Sequence, residues 1–186
     1  MTSIELVFET HSLTTDNERG IATGWHGGAL SDRGRALALE LGERRRDDGL
    51  GLVVVSDLAR AEETARIAFH ESSMPVLLDW RLREVDYGML TGSHPDTLER
   101  ERYVEAPFPG GESYHDATRR VDYFLHELAA SHPGERVLLI GHTATRWALD
   151  HLLGGRGLDA AVAAPFDWRE GWEYVLSDRA VTEAAA

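Results

Sequence analysis

The chain is expected to fold as an α/β protein, a three-layer α/β/α sandwich around a mostly parallel sheet, and three features of the sequence say so. Leu52-Val53-Val54-Val55 and Val137-Leu138-Leu139-Ile140 are continuous apolar runs, the pattern of strands buried on both faces. The segments between such runs repeat their apolar residues at helical spacing. Each strand-like run also gives way at once to polar residues, and the carboxyl edge of an open parallel sheet is where ligands bind.

Composition narrows the chemistry. At 186 residues the chain fits one domain, residues 1–186, large enough to bury its core without staples. It has no cysteine, which excludes thiolate catalysis, disulfides and thiolate metal sites. It also has no lysine, so all 19 basic residues other than histidine are arginine, and Schiff-base or P-loop lysine chemistry is out. A net charge of -13 repels polyanions, so neither nucleic acid nor an anionic membrane is an expected partner. A small anion can still bind in a local arginine pocket. The start, Met1-Thr2-Ser3-Ile4-Glu5, has no basic or long apolar segment, and no run approaches the ~18 apolar residues of a membrane span, so a cytoplasmic protein is expected.

Taken in order, Ile4, Leu6 and Phe8 alternate with Glu5 and Val7 as a first strand, which places His11 just past its end. After the loop His26-Gly27-Gly28-Ala29, Ser31 is a natural N-cap for a helix to Arg46, with Leu37 and Leu41 sharing a mainly structural face. The strand Leu52–Val55 follows, then a second helix that Ser56-Asp57 is expected to cap, with Arg60 in its first turn. Val76-Leu77-Leu78 reads as a short strand. From Ser93 to Gly111 the periodicity is poor, so residues 87–112 are expected to form a lid or specificity segment. Ser113 with Asp116 caps a helix ending near Ser131, whose stripe Ala117, Val121, Phe124, Leu125 and Leu128 belongs to the core. Arg136–Ile140 is a further strand, with His142 at its end, then a helix from Ala144 to Leu153 closed by Gly154-Gly155. Trp172–Leu176 reads as a last strand, and Ala184–Ala186 are expected to fray.

Five stretches resemble the motifs of the histidine phosphatase superfamily, the phosphoglycerate-mutase-like enzymes, across most of residues 3–155. Thr10-His11-Ser12-Leu13-Thr14 with Asn17 and Gly24-Trp25 is similar to the family's Arg-His-Gly-Glu-Thr motif and its sequel. Thr10 stands where the family has arginine, Ser12 where it has glycine, and Leu13 where it usually has an acid. The run Ser56 to Ala65 resembles the family's arginine-bearing helix start, and Leu82 to Gly92 its glutamate-tyrosine-glycine loop. Phe108-Pro109-Gly110-Gly111-Glu112-Ser113 is similar to the family sequence throughout, and Gly141-His142-Thr143 matches its second histidine, usually followed by glycine.

The resemblance implies a phosphoglycerate-mutase-like fold and a phosphohistidine mechanism. On that pattern His11 is the nucleophile, Glu84 the proton donor and a protonated His142 a holder of phosphoryl oxygens. Arg60, Asn17 and Thr143 bind phosphate, and no metal or cofactor is implied. The loss of a charged donor at Thr10 is expected to cost about 10²- to 10³-fold in rate unless another arginine fills in, with Arg19, Arg83 and Arg146 as candidates. The backbone N–H groups of Ser12 and Thr143 are expected to face the phosphate while their side chains narrow the pocket, and His26 approaches the pocket mouth. The expected partner is a small phosphorylated molecule, and a homodimer is left open. A phosphomonoester hydrolase is preferred to a mutase because the lid segment is short. A weakened phosphatase-fold protein that binds an anion, and a hydrolase or lyase acting on a non-phosphate substrate, are the other readings.

Overall fold

Five strands form one sheet in the computed structural model, which describes residues 3–177; the expected fraying of Ala184–Ala186 lies outside the described residues. The strands are β1 (Ile4–Thr10), β2 (Leu52–Val55), β3 (Val76–Leu78), β4 (Arg136–Gly141) and β5 (Trp172–Leu176), in the spatial order β3-β2-β4-β1-β5. Four run parallel, and β5 pairs antiparallel to β1, with Phe8 opposite Trp172. The helices are α1 (Thr15–Glu18), α2 (Asp32–Arg45), α3 (Ala59–Ala68), α4 (Tyr114–Ser131), α5 (Thr143–Leu152) and α6 (Leu158–Ala163).

Alternation along the strands produces the layers. Ile4, Leu6, Phe8, Leu52, Val54, Val137 and Leu139 pack on Val121, Phe124, Leu125 and Leu128 of α4 and on Ala148 and Leu149 of α5. Their neighbours Val7, Val53, Val55, Leu138 and Ile140 turn to the other face, against Leu41 of α2 and Ala61 and Ala65 of α3. Burial on both faces is why β2 and β4 read as unbroken apolar runs. A third cluster, with Val85, Tyr87, Phe108, Tyr114 and Trp147, anchors the 87–112 segment against α4, α5 and α6. That segment holds three short 3₁₀ turns, Gly88–Leu90, Pro95–Thr97 and Arg100–Tyr103.

Caps explain most helix starts. Ser31 Oγ accepts from Gly34 N, and Ser113 with Asp116 closes a reciprocal capping box. Thr14 and Asn17 form another at α1, a turn the sequence did not announce. The expected Ser56-Asp57 cap does not form. α3 begins two residues later with Leu58 at its N-cap, because the Ser56 hydroxyl meets His142 and the Asp57 carboxylate takes a bidentate pair with Arg83. α5 begins one residue before the expected Ala144, and α6 was not foreseen.

Glycines permit two close approaches that shape the site. A Cβ at Gly34 would run into the Leu13 carbonyl, so α2 seats directly on the loop after His11. A Cβ at Gly111 would strike the Asp86 carbonyl, which holds the Phe108–Ser113 loop against the Glu84 loop.

Candidate active site

His11 leaves the end of β1 with its backbone N–H donated to Gly141 O of β4 at 2.9 Å. Its ring atom Nδ1 lies 2.7 Å from Ser12 O, and a carbonyl only accepts, so Nδ1 carries the proton. The other ring atom, Nε2, accepts from Arg60 Nε at 3.2 Å and therefore presents a lone pair. Burial, then the charge of Arg60, lowers the His11 pKa to about 3, so the ring is neutral at ordinary pH. A half-buried neutral imidazole with one fixed tautomer is the form a nitrogen nucleophile needs.

Arg60 occupies the middle of the site. Besides His11, it donates to Gly24 O at 2.8 Å, to His26 O at 3.1 Å and to His142 Nδ1 at 3.2 Å. Burial lowers its pKa, opposed by the nearby Glu84. The loop carbonyls explain the Gly24-Trp25 match, since this turn clamps the guanidinium and, through Trp25 Nε1 to Glu84 O at 2.6 Å, the Glu84 backbone. His26 contributes its carbonyl, while its ring is exposed and does not reach the cavity.

His142 sits at the N-cap of α5, its ring centroid 4.9 Å from that of His11. A guanidinium only donates, so Nδ1 accepts from Arg60, and Nε2–H is directed at Ser56 Oγ, 2.9 Å away. Burial and the neighbouring Arg60 charge hold its pKa well below the usual histidine range. Both effects disfavour the protonated form that the resemblance implies.

Glu84 is buried beside them, with Oε1 accepting from Val85 N at 2.9 Å and Ala144 N at 3.1 Å. Burial raises its pKa, against those two N–H donors and the Arg60 charge. It therefore keeps a proton to higher pH than a free carboxyl, the property of a general acid. The loop that carries it is pinned by Arg120, which donates to Arg81 O, Arg83 O and Glu84 O and pairs with Glu112 on both oxygens. Neither Arg120 nor Glu112 was assigned a role from sequence, although Glu112 lies inside the matched Phe-Pro-Gly-Gly-Glu-Ser stretch.

Asn17 and Thr143 lie on the wall of the same cavity. The Asn17 carbonyl oxygen is engaged by Thr14 N, so its amide N–H groups are what a ligand can meet. Ser12 departs from expectation: its N–H donates to Thr64 Oγ1 at 2.9 Å and its hydroxyl to Gly34 O at 2.6 Å. That N–H faces α3 rather than a phosphate, and the side chain is tied to α2 instead of narrowing the hollow.

Thr10 is on the cavity wall, paired with Gly141 in the sheet. None of the three arginines expected to fill in for it does so. Arg19 is exposed, Arg83 is paired with Asp57 and stacked on Trp25, and Arg146 is paired with Asp150 and stacked on Trp172. The cavity instead meets Arg33 and Arg44 of α2 and Arg100 of the 87–112 segment. Their signal was available: Arg33, Leu37, Glu40, Leu41 and Arg44 follow helical spacing on one face, which lines the cavity rather than serving structure alone. Arg44 is held 3.1 Å from the buried Glu9, whose carboxylate Arg45 also grips.

The cavity has a volume of about 660 Å³ and lies over the carboxyl ends of β1, β2 and β4. Among the described residues no helix is long and apolar enough to cross a membrane.

Known proteins are similar to this chain in sequence and fold. The 2,3-bisphosphoglycerate-dependent phosphoglycerate mutase of Methylobacterium radiotolerans is 34% identical, covering 81% of this chain and 79% of its own. The solved structure of mycobacterial glucosyl-3-phosphoglycerate phosphatase matches with a TM-score of 0.77 at 28% identity, over 88% of this chain and 89% of that one. Bacillus stearothermophilus YhfR matches with a TM-score of 0.82 at 25% identity, over 92% and 90% of the two chains. The sequence model of the histidine phosphatase superfamily (branch 1) matches residues 6–167, and the chain belongs to that superfamily.

Proposed function

We propose that the chain is a phosphomonoester hydrolase that acts on a small phosphorylated metabolite through a phosphohistidine at His11. The observation that carries this reading is the His11 Nε2 lone pair, fixed by the Nδ1 bond to Ser12 and facing Arg60 at 3.2 Å. An arriving phosphoryl oxygen takes over the Arg60 Nε donor and places phosphorus against Nε2. The nucleophile then attacks phosphorus, the ester P–O bond breaks, and the Glu84 carboxyl proton passes to the departing alkoxide. In the second step the Glu84 carboxylate takes a proton from water, the hydroxide oxygen bonds to phosphorus, and the P–N bond electrons return to Nε2.

Charge on the equatorial oxygens is met by Arg60 and by the amino end of α5, where Thr143 faces the cavity. A phosphate dianion beside His142 would favour its protonated form, adding a second donor once substrate is bound.

Turnover of p-nitrophenyl phosphate with an alkali-stable phosphoryl adduct on His11 in rapid-quench mass spectrometry is the expected result. Tight inorganic phosphate binding without turnover or adduct would instead identify an anion-binding protein. The mutase names of the relatives support a second reading, transfer to another alcohol. Adding 3-phosphoglycerate as acceptor separates the two, since a mutase yields a new phosphate ester and a hydrolase only inorganic phosphate.

A further inference from the structure

The cavity is larger than the hollow around His11. Its wall extends along α2 through Arg33, Leu37, Leu41 and Arg44 and, before β5, to Phe166 and Trp168, which together bound an α2 chamber. Its aromatic wall is open to ligand: Trp168 is 55% exposed and Phe166 41%. A cavity of about 660 Å³ is of the size that encloses a drug-sized molecule rather than one compact phosphate ester.

Charge is scarce in the hollow itself. Arg60 is the one guanidinium bonded to His11 and His142, and burial disfavours a charge on either imidazole. The Arg44 charge in the chamber is met by Glu9. Thr10, also on the cavity wall, offers a hydroxyl. One guanidinium on the imidazoles, with Arg33 and Arg100 elsewhere on the cavity wall, and apolar surface on Leu37, Leu41, Phe166 and Trp168 suit a phosphoryl group that carries two organic substituents.

We infer that the site also hydrolyses phosphodiesters, seating the retained ester substituent against the cavity wall that α2 and Trp168 form. This rests on His11 as the nucleophile. In the first step His11 Nε2 bonds to phosphorus, the P–O bond to one alcohol breaks, and Glu84 gives that alkoxide its proton. The intermediate is a phosphohistidine that still carries the second alcohol as an ester. Water, losing a proton to Glu84, then forms a new P–O bond as P–N breaks, and a phosphomonoester leaves.

The test compares bis(p-nitrophenyl) phosphate with p-nitrophenyl phosphate on the full chain and on T10R, L37W and H11A. The wild-type chain is expected to turn over the diester with a kcat/KM within about tenfold of the monoester. Rapid quench should find a His11 adduct that retains one nitrophenyl group. T10R, which adds charge and bulk to the cavity wall, should shift the ratio at least tenfold toward the monoester. L37W, which fills the half-buried chamber wall, should shift it the same way by raising the diester KM, and it keeps the test alive if T10R does not fold. Monoester turnover with no diester turnover, or a ratio unmoved by both variants, overturns the inference and leaves the phosphohistidine mechanism standing. Turnover of neither ester overturns both, and diester turnover that survives in H11A shows a different nucleophile.

Discussion

Around His11 each reacting side chain is held by partners from several elements, whereas the far wall of the same cavity mixes leucines and charged residues of α2 with half-open aromatics before β5. Arg60 alone joins α3 to the loops at Gly24 and His26 and to both imidazoles. Phe166 and Trp168, by contrast, keep much of their surface in solvent. The difference teaches where the fold spends its polar contacts. Positions that must be fixed to fractions of an ångström are cross-braced, and positions that need only fit a ligand body are left to shape and apolar surface.

Breaking the braced half should give the largest effects. H11A removes the attacking nitrogen, and steady-state assay should show at least about a 10³-fold loss of kcat with the adduct gone. E84Q removes the transferable proton, so kcat should fall about 10²- to 10⁴-fold, and its pH profile should lose the limb that marks deprotonation of Glu84. If E84Q retains both full rate and the same profile, the proton comes from elsewhere.

Stability against pH sharpens the comparison further. The His11 pKa is depressed from 6.5 to about 3, so between those values the unfolded chain binds a proton that the folded chain does not. Its contribution makes stability fall as pH drops from about 6.5 toward about 3 and level off above that window. His142 acts in the same direction, while Glu84, whose pKa is raised, acts in the opposite one as pH climbs past the ordinary carboxyl value. Urea titrations should therefore show a flatter pH dependence in H11A by up to ~1.4 kcal/mol per pH unit inside the window. Unchanged slopes would mean that the ring is solvated when empty.

Milder damage is expected where only backbone freedom is lost. Gly24 sits at φ +53°, and a Cβ there would come within 3.1 Å of the Tyr87 ring, so G24A should cost about 1 kcal/mol in urea denaturation and loosen the clamp on Arg60. Smallest of all, W168A should leave stability within about 0.5 kcal/mol, because its ring is largely exposed. Any effect there should show as a raised KM for bulky esters.

Sequence patterns reached the braced half more readily than the open one. β2 and β4 were legible because strands buried on both faces permit little but apolar residues, and α2 and α4 because Ser31 and Ser113 satisfy their first N–H groups locally. His11, Arg60, Glu84 and His142 could be read because each lies near the end of such a strand within a recognisable stretch. Ser56 and Asp57 misled because a capping residue looks the same as one committed to a distant partner, here His142 and Arg83. Arg120, which pins the Glu84 loop, looks in sequence like any polar residue of an amphipathic helix. The α2 stripe was hidden for the converse reason: Leu37 and Leu41 have the spacing of a core face whether the neighbour is protein or an empty cavity.

The bond from Arg60 to His11 acts as a safety catch. At rest the nitrogen lone pair is already occupied by a guanidinium proton, so electrophiles that carry no anionic oxygen have nothing with which to release it. On the proposed mechanism, a phosphate draws Arg60 onto itself and in doing so frees the base that attacks it. Selectivity for phosphorus esters thus begins before any part of the alcohol is sensed.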